Sequence, residues 1–347
     1  MYNQYLDTKK FEEFNRFLIK VNERTDYQYG LKDTYSNDNN PVLDIDVEYF
    51  GFNILQDMRI RYIIENIVAC NELSPENKIC NTFISHFYGA KDIHSTITGI
   101  SDVKKAHVDF ERIAKGDRDY LDSIKRSINI SKKQKKKFYG TTELHTSLQT
   151  AARNFCREKY QDPHRQASLT DILEWLSGWL IDGTVNKFLN DCNTLEKFYH
   201  VLTDKKGIGE YYGYHASTSN SVNTVFQFDH NEEFCKPGPG AKRALDTIFP
   251  KLKSKGKMPY DKLIWWIREN QDVIVKDLKI HDFFHNIEIN DNVKVFKESQ
   301  DKLKIYGIEV GLCQFDVKNW LQENPHLINR RKIVYEEKTA TLDKFLI

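Results

Sequence analysis

The chain has 347 residues and a net charge of only +1, from 51 basic and 50 acidic side chains. A chain of this length can bury a sizeable core in one large domain or two interleaved ones, and its overall charge favours no class of partner. Its six cysteines lack C-x-x-C spacing, so we expect reduced thiols and neither a metal nor another cofactor. The sequence has no apolar N-terminal segment and no run of membrane-spanning length, so we expect a cytoplasmic protein that does not bind membranes.

Apolar side chains recur at helical spacing along most of the chain. The pattern predicts an all-α protein with helices over 9–22, 55–70, 76–88, 103–115, 118–128, 144–159, 169–189, 195–202, 211–217, 259–270 and 315–322. We divide the chain into an N-terminal helical region, 1–140, with a basic segment near its end, and a core with the C-terminal helices, 141–347.

Charge is distributed unevenly along the chain. The charges between Lys32 and Arg59 are all acidic, whereas those between Asp122 and Glu143 are all basic. The basic interval contains a cluster of five lysines, Lys132, Lys133, Lys135, Lys136 and Lys137. This cluster is either a solvated linker or a flexible strap over the DNA backbone, which would give salt-sensitive affinity without sequence preference.

A short glycine turn joins two helical patterns near the middle of the sequence. Gly207 and Gly209 interrupt the helical spacing between 195–202 and 211–217. A turn of this kind exposes backbone N–H groups at a helix N-terminus, where the helix dipole also favours an anion. The candidate contacts to DNA phosphate are Lys205, Lys206, Gly207, Ile208 and Gly209. The alternative is an ordinary helix–helix turn.

Asp229 follows Gly209 by 20 residues, directly after the apolar run Val225-Phe226-Gln227-Phe228. Here the sequence resembles the helix-hairpin-helix DNA glycosylase superfamily, in which a catalytic aspartate follows a Gly-[Ile/Val]-Gly hairpin at roughly this interval. The resemblance implies a glycosylase-like helical bundle whose N- and C-terminal helices pack together. Asp229 would then stabilise the sugar cation, with His230 in a supporting role, although an aspartate here can equally cap a helix.

Tyr211 stands where the bifunctional members of that superfamily carry a Schiff-base lysine. The resemblance therefore implies a monofunctional glycosylase that uses water as the nucleophile. Tyr211 is retained as a candidate catalytic residue on this basis.

Two later segments resemble motifs of the alpha-glutamyl/putrescinyl thymine pyrophosphorylase-like family, which is associated with hypermodified pyrimidines in phage DNA. The segment 236–243 contains a Gly-Pro-Gly-Ala turn, and 307–316 ends in Leu-Cys-Gln-Phe-Asp. The turn can begin a helix and form a second anion site. Its candidate DNA contacts are Gly238, Gly240, Lys242 and Arg243. Gln314 and Asp316 are candidate pocket residues, although Asp316 can also cap the last helix.

Three further pocket candidates lie elsewhere in the chain. Asn81 belongs to Cys80-Asn81-Thr82-Phe83, which resembles a Cys-Asn-Val-Tyr/Phe motif of the same family. The arginine and aspartate expected after that motif are replaced here by Ile84 and Phe87. Trp175 and Trp179 are one helical turn apart and are either core residues or an aromatic platform for an extruded base.

Together these features predict a monofunctional DNA glycosylase that excises a modified, possibly glucosylated hydroxymethyl, pyrimidine in anti-phage defence. Its partner would be double-stranded DNA carrying modified bases, and no obligate protein partner is evident. One alternative is a transferase that adds an amino acid or polyamine to activated 5-hydroxymethyluracil in DNA, although the residues at 84 and 87 disfavour it. A second alternative is a non-catalytic DNA-binding module.

Overall fold

A computed structural model describes residues 2–28, 58–88, 93–136, 138, 145–223, 225, 226, 228, 234–256, 258–271 and 303–326. Regular structure in these residues is helical and includes no strand, which confirms the predicted all-α class. A 3-10 turn, Asn3–Tyr5, and a π-helix, Ile63–Val68, accompany fifteen α-helices. These are α1 (Thr8–Gln28), α2 (Met58–Tyr62), α3 (Pro75–Tyr88), α4 (Ile93–Thr98), α5 (Phe110–Ala114), α6 (Arg118–Lys133), α7 (His145–Tyr160), α8 (Leu169–Ile181), α9 (Thr184–Asp191), α10 (Leu195–Thr203), α11 (Glu210–Asn220), α12 (Pro239–Ile248), α13 (Pro250–Lys253), α14 (Tyr260–Asn270) and α15 (Ile305–Glu323).

The described residues fall into two compact units. The first unit contains those within Met1–Met58, Glu233–His285 and Lys294–Lys332, and the second contains those within Arg59–Glu232. These units do not coincide with the ranges 1–140 and 141–347, which stay a prediction from the sequence. No described helix combines the length and apolar character needed to cross a bilayer.

In the first unit, the N-terminal helix packs on the C-terminal helix α15. Asp7 directly precedes α1, and its Oδ1 accepts a hydrogen bond from the Lys10 amide at 3.1 Å. The rings of Phe14 and Phe17 lie 5.3 and 5.7 Å from the ring of Phe315. The apolar spacing of α1 therefore places its buried face against α15, as the sequence predicts.

In the second unit, aromatic side chains from several helices form the centre of the core. Phe188 of α9 stacks on Phe198 of α10 with 4.2 Å between ring centroids. Phe83 of α3 meets the edge of Trp179 at 5.3 Å. Because all four side chains are almost fully buried, they join α3, α8, α9 and α10 into one packed layer.

The helix predicted over 103–115 is largely wrong, since only Phe110–Ala114 is helical. Asn81 accepts a hydrogen bond from the Val108 amide at 3.0 Å and donates one to the Val108 carbonyl at 2.8 Å. Asn77 accepts from the Phe110 amide at 2.7 Å. These side chains occupy backbone groups that a helix would need, so the preceding segment is not helical.

The single helix predicted over 169–189 is two helices. Helix α8 starts with a capping box between Ser168 and Asp171. It ends at Ile181, and Gly183 follows with φ +78°, a left-handed conformation that glycine adopts without strain. The next helix starts at Thr184, whose hydroxyl and amide both donate to Asp182 Oδ1.

Two other predicted helices differ from the structure in extent or type. The range 55–70 contains α2 followed by a π-helix, whose last carbonyl, that of Val68, accepts from Lys78 Nζ at 2.8 Å. The last helix starts ten residues earlier than predicted and spans Ile305–Glu323. The early part of this helix contains two glycines and is buried on more than one side. Its sequence therefore lacks the single apolar face by which a surface helix is recognised.

Candidate functional site

The predicted helical hairpin is present. Helix α10 ends at Thr203, and helix α11 starts at Glu210 with Gly209 as its N-cap residue. Between them, the turn is anchored by Ile208, which is 5% exposed and belongs to the core of the second unit. The turn therefore has a fixed position on the unit, while Gly207 and Gly209 lie exposed on either side of Ile208.

Gly207 is required by the packing of this turn. Its φ is +96°, and a Cβ atom at this position would lie 2.5 Å from Ala151 Cα in α7. Gly209 differs, since its φ is −79° and a Cβ atom there would meet no atom within 4 Å. The first glycine therefore serves the fold, and the second leaves open space above the start of α11.

The charges around the turn only partly favour a phosphate. Lys205 is committed to an ion pair with Asp182, at 2.8 Å between Nζ and Oδ2. Burial acts to raise the pKa of the Asp182 carboxyl, but the bonds from Lys205 and Thr184 outweigh it, so this pKa is lowered. Glu210 occupies the first turn of α11, where its negative charge already interacts favourably with the helix dipole. Lys206 is exposed, so it is the lysine best placed to meet a phosphate group.

The candidate catalytic residues and the basic cluster are only partly described. Asp229, His230 and the last lysine of the basic cluster, Lys137, lie outside the described residues. Tyr211 is half-buried on the first turn of α11, with its ring centroid 4.5 Å from that of His215. The roles predicted for these four residues stay predictions.

Helix α11 carries a buried polar face that the sequence analysis did not single out. Ser217 donates to the Gly213 carbonyl at 2.7 Å, and Thr218 donates to the Tyr214 carbonyl at 2.9 Å. The protons of these hydroxyls are therefore donated within their own helix. Ser219 instead lies 2.5 Å from Nδ1 of His86 on α3, and so connects the polar faces of the two helices.

A second buried polar contact joins α3 to α4. Ser85 lies 2.7 Å from Nε2 of His94, a fully buried imidazole of α4. Burial, together with the nearby His107, lowers the pKa of His94 to about 3, so this imidazole is neutral at physiological pH. The sequence analysis did not identify His94, because its partner Ser85 lies on a different helix and no local spacing relates the two residues.

The pocket candidates of the second unit have structural contacts. Asn81 holds both backbone groups of Val108, as described above. Trp179 is 2% exposed within the core, and Trp175 packs on it edge to face at 4.8 Å. These contacts favour the core interpretation of the two tryptophans over a stacking platform.

In the first unit, the two motif segments 236–243 and 307–316 come together where α12 packs on α15. The amide of Gly238, the N-cap residue of α12, donates to Glu309 Oε1 at 2.9 Å. Cys313, one turn along α15, donates to the same oxygen at 3.4 Å. A Cβ atom on Gly240 would lie 3.3 Å from Cys313 Cα, so the glycine permits this close helix packing. The predicted anion site at this turn thus holds a carboxylate from the protein itself.

Glu309 is fully buried, and sequence reasoning did not single it out. Burial raises the pKa of its carboxyl to about 7, although the bonds from Gly238 and Cys313 oppose the rise. Burial, together with the neighbouring Glu309 carboxylate, also raises the pKa of the Cys313 thiol. One signal in the sequence could have identified Glu309. It is an acidic residue between the apolar residues Ile308 and Val310, and such a residue is rarely buried.

The remaining candidates of the first unit surround this contact. Arg243 donates from Nε and Nη2 to the carboxylate of Asp316, with its shortest bond at 2.7 Å. This bidentate pair links α12 to α15 and commits both side chains. Lys242 lies over the ring of Tyr260 at 5.7 Å, and Gln314 is buried. Asp316 lies within α15 and does not cap it.

The basic cluster is not a free linker over its described part. Lys132 and Lys133 form the last turn of α6, where the helix dipole favours positive charge. Lys135 then adopts φ +56°, and the Lys136 amide donates to the Ser131 carbonyl at 3.0 Å. This is a Schellman-type helix end, a position usually taken by glycine. The lysines are thus held on a defined helix terminus.

Replacing Lys135 with glycine is expected to stabilise the protein by about 0.5–1 kcal/mol, because glycine adopts the left-handed conformation without steric cost. Urea denaturation measures the change. Lys136→Gly is the matched control, since it removes the same charge at a residue without positive φ, and it should give no gain. Equal effects of the two substitutions would contradict a conformational cause.

Comparison with known proteins identifies the family. The family model for "5-hmdU DNA kinase, helical domain" matches residues 55–318, about three quarters of the chain. No curated protein and no solved structure matches. The predicted link to enzymes of hypermodified pyrimidines in DNA is thereby supported, whereas membership of the helix-hairpin-helix glycosylase superfamily is not confirmed.

The match also corrects the predicted chemistry. A kinase transfers a phosphoryl group, so the expectation of a DNA glycosylase, a hydrolase that excises bases in anti-phage defence, is wrong. Transfer of an amino acid or polyamine is not supported either. The matched range includes the hairpin, the polar faces of α3 and α11, and the contact of α12 with α15. The chain belongs to the family of the 5-hmdU DNA kinase helical domain, where 5-hmdU denotes 5-hydroxymethyldeoxyuridine.

Proposed function

We propose that this chain binds DNA containing 5-hydroxymethyldeoxyuridine and presents the 5-hydroxymethyl group for phosphorylation. The observation that carries the proposal is the family match over residues 55–318, which takes in parts of both compact units. The DNA partner carries a modified pyrimidine, in agreement with the sequence-based expectation, but the reaction differs from base excision.

The proposed reaction makes one oxygen–phosphorus bond and breaks another. The 5-hydroxymethyl oxygen attacks the γ-phosphorus of a nucleoside triphosphate, the nucleoside diphosphate leaves, and the hydroxyl proton passes to a base. Catalysis of such a transfer consists mainly of positioning and charge stabilisation. A helical domain can contribute to it by fixing the DNA so that the hydroxymethyl group is in line with the donor.

Two surfaces of the second unit are proposed to hold the DNA backbone. One is the hairpin turn, where Gly207 and Gly209 are exposed and Lys206 adds a positive charge. The other is the end of α6, where Lys133 and Lys136 are exposed. Both surfaces offer contacts to phosphate that carry no sequence information, so a separate contact must recognise the modified base.

A direct test uses two duplexes that differ only in a single 5-hydroxymethyldeoxyuridine or thymidine. We expect tighter binding of the first duplex and, with magnesium and a nucleoside triphosphate, a phosphorylated nucleoside detected by mass spectrometry after digestion. Binding preference without product would assign the chain the DNA-binding part of the reaction. Equal affinity for both duplexes and no product would refute the proposed function.

The salt dependence of binding tests the end of α6. Changing Lys133 and Lys136 to glutamine should reduce the slope of log affinity against log salt by up to about 1.8, or about 0.9 for each lost phosphate contact. Lys104 and Lys105 are also exposed lysines of the second unit, and their double substitution is the matched control. An unchanged slope in the Lys133 and Lys136 variant would show that these lysines are solvated and do not contact phosphate.

A further inference from the structure

The C-terminal end of α11 contains two buried amide groups with unmet hydrogen-bonding capacity. Asn220 and Asn223 are both 0% exposed. Among the described residues, Oδ1 of Asn220 and Nδ2 of Asn223 have no hydrogen-bond partner. Buried polar groups are nearly always paired, since an unpaired one loses its bonds to water without replacement. One buried acceptor and one buried donor, three residues apart in the chain, therefore have no partner among the described residues.

The orientation of the Asn220 amide is set by its own helix. Its Nδ2 donates to the Ala216 carbonyl at 3.1 Å. Rotating the amide to exchange its oxygen and nitrogen would place two acceptors against each other, so this rotation is disfavoured. Asn220 consequently presents an acceptor to its surroundings.

The Asn223 amide is oriented in the opposite sense by a long hydrogen bond within its own turn. Its Oδ1 accepts from the Val225 amide at 3.5 Å, and its carbonyl accepts from the Phe226 amide at 3.1 Å. Phe226 packs edge to face on Phe198 at 5.1 Å, which anchors the turn in the core. Asn223 consequently presents a donor. Its amide also donates to the Asn220 carbonyl at 2.9 Å, so the two residues have a fixed backbone relation.

We infer that Asn220 and Asn223 recognise the Watson–Crick edge of a uracil-type base, the base class implied by the proposed function on which this inference rests. Uracil offers a donor at N3–H and an acceptor at O4. Asn220 Oδ1 accepts from N3–H, and Asn223 Nδ2 donates to O4. Cytosine reverses both groups, with an acceptor at N3 and a donor at N4, so each asparagine would face a group of its own kind. Reading of this edge requires that the base leave the duplex stack.

The test compares DNA carrying one 5-hydroxymethyldeoxyuridine with DNA carrying one 5-hydroxymethyldeoxycytidine. Wild type should prefer the uracil base by about tenfold or more, because the cytosine base leaves buried polar groups unpaired. Asn220→Ala and Asn223→Ala should each bring that ratio close to one. Ser217→Ala is the control on the same helix, since its hydroxyl serves only the Gly213 carbonyl in the described structure, and it should keep the wild-type ratio.

A second variant gives a change that lost stability cannot imitate. Asn223→Asp keeps the acceptor for the Val225 amide but replaces the outward donor by an acceptor. Folded protein of this variant should shift its preference towards the cytosine base, whose N4 amino group can donate to the new oxygen. Thermal unfolding and circular dichroism establish that each variant is folded.

The possible outcomes distinguish failure of this inference from failure of the proposed function. If wild type distinguishes 5-hydroxymethyldeoxyuridine from thymidine, the proposed function stands, because these bases share the same Watson–Crick edge. Unchanged uracil-to-cytosine ratios in folded Asn220→Ala, Asn223→Ala and Asn223→Asp would then overturn the inference alone and indicate that only a buried water satisfies the amides. If wild type binds none of the modified DNAs better than unmodified DNA, the proposed function fails and the inference falls with it.

Discussion

Replacement of Gly207 by alanine is expected to destabilise the protein by about 3 kcal/mol. The residue has φ +96°, and its new Cβ atom would lie 2.5 Å from Ala151 Cα and 3.1 Å from Ala151 N. A left-handed conformation costs an alanine about 1–2 kcal/mol, and overpacking against backbone adds about 1–3 kcal/mol. Relief requires that the turn and α7 move apart, because no flexible side chain is available to yield. Urea denaturation at fixed temperature measures the loss.

Gly209→Ala is the matched control, two residues away in the same turn. With φ −79° and no atom within 4 Å of the new Cβ, this variant should lose no more than about 1 kcal/mol, the cost of alanine as a poorer N-cap residue than glycine. Equal destabilisation by both substitutions would contradict the close approach to α7.

A bulky side chain at Gly209 tests DNA binding separately from the fold. The position is exposed at the start of α11, so a substitution such as Gly209→Leu should leave the protein folded. If backbone groups of the turn contact phosphate, the added side chain blocks them and weakens binding to modified and plain DNA alike. An unchanged affinity in a gel-shift assay of the folded variant would remove the turn from the DNA interface.

Helices with strong local signals were predictable from the sequence. Helix α1 combines an apolar face with a capping aspartate, and α8 has a capping box, so spacing and chemistry agree on where each begins. The failures have a non-local cause. The segment before Phe110 is held by Asn77 and Asn81, whose distance along the chain exceeds any window used to detect periodicity.

The candidate site was predictable only in part, for a related reason. The motifs at 236–243 and 307–316 are singled out from the sequence, and the structure brings them together in one helix contact. The carboxylate at their centre, Glu309, was overlooked because its environment is created by α12, some 70 positions earlier in the sequence. Burial and pKa are properties of that packing and leave no signature in the local spacing.

The predicted reaction shows what spacing cannot determine. A glycine turn followed at an interval by an aspartate resembles a glycosylase, but the same arrangement of helices can serve other chemistry on DNA. Modified pyrimidine DNA as the substrate class was inferred from the two later motifs and agrees with the family. The type of bond broken depends on groups around the substrate, which sequence intervals do not define.

Glu309→Gln is expected to change the pH dependence of stability. The carboxyl has a pKa of about 7 in the folded protein, against an ordinary value of 4.5 for a glutamate in water. Between these values the folded state binds more protons than the unfolded state, so the stability of wild type falls as pH rises from about 4.5 through 7. A shift of this size corresponds to about 3 kcal/mol. Glutamine resembles the protonated acid and keeps an acceptor for the Gly238 amide, so the variant should lack this fall.

Urea denaturation of wild type and Glu309→Gln at pH 5 and pH 8 measures the effect. The stability of the variant relative to wild type should increase by about 2–3 kcal/mol between the two pH values, because only wild type must bury a charge at pH 8. Glu323→Gln, at an exposed residue of the same helix, is the control and should follow wild type at both values. Parallel curves for wild type and Glu309→Gln would show that the carboxyl titrates alike in the folded and unfolded states, and Glu309 would then be no candidate for proton transfer near neutral pH.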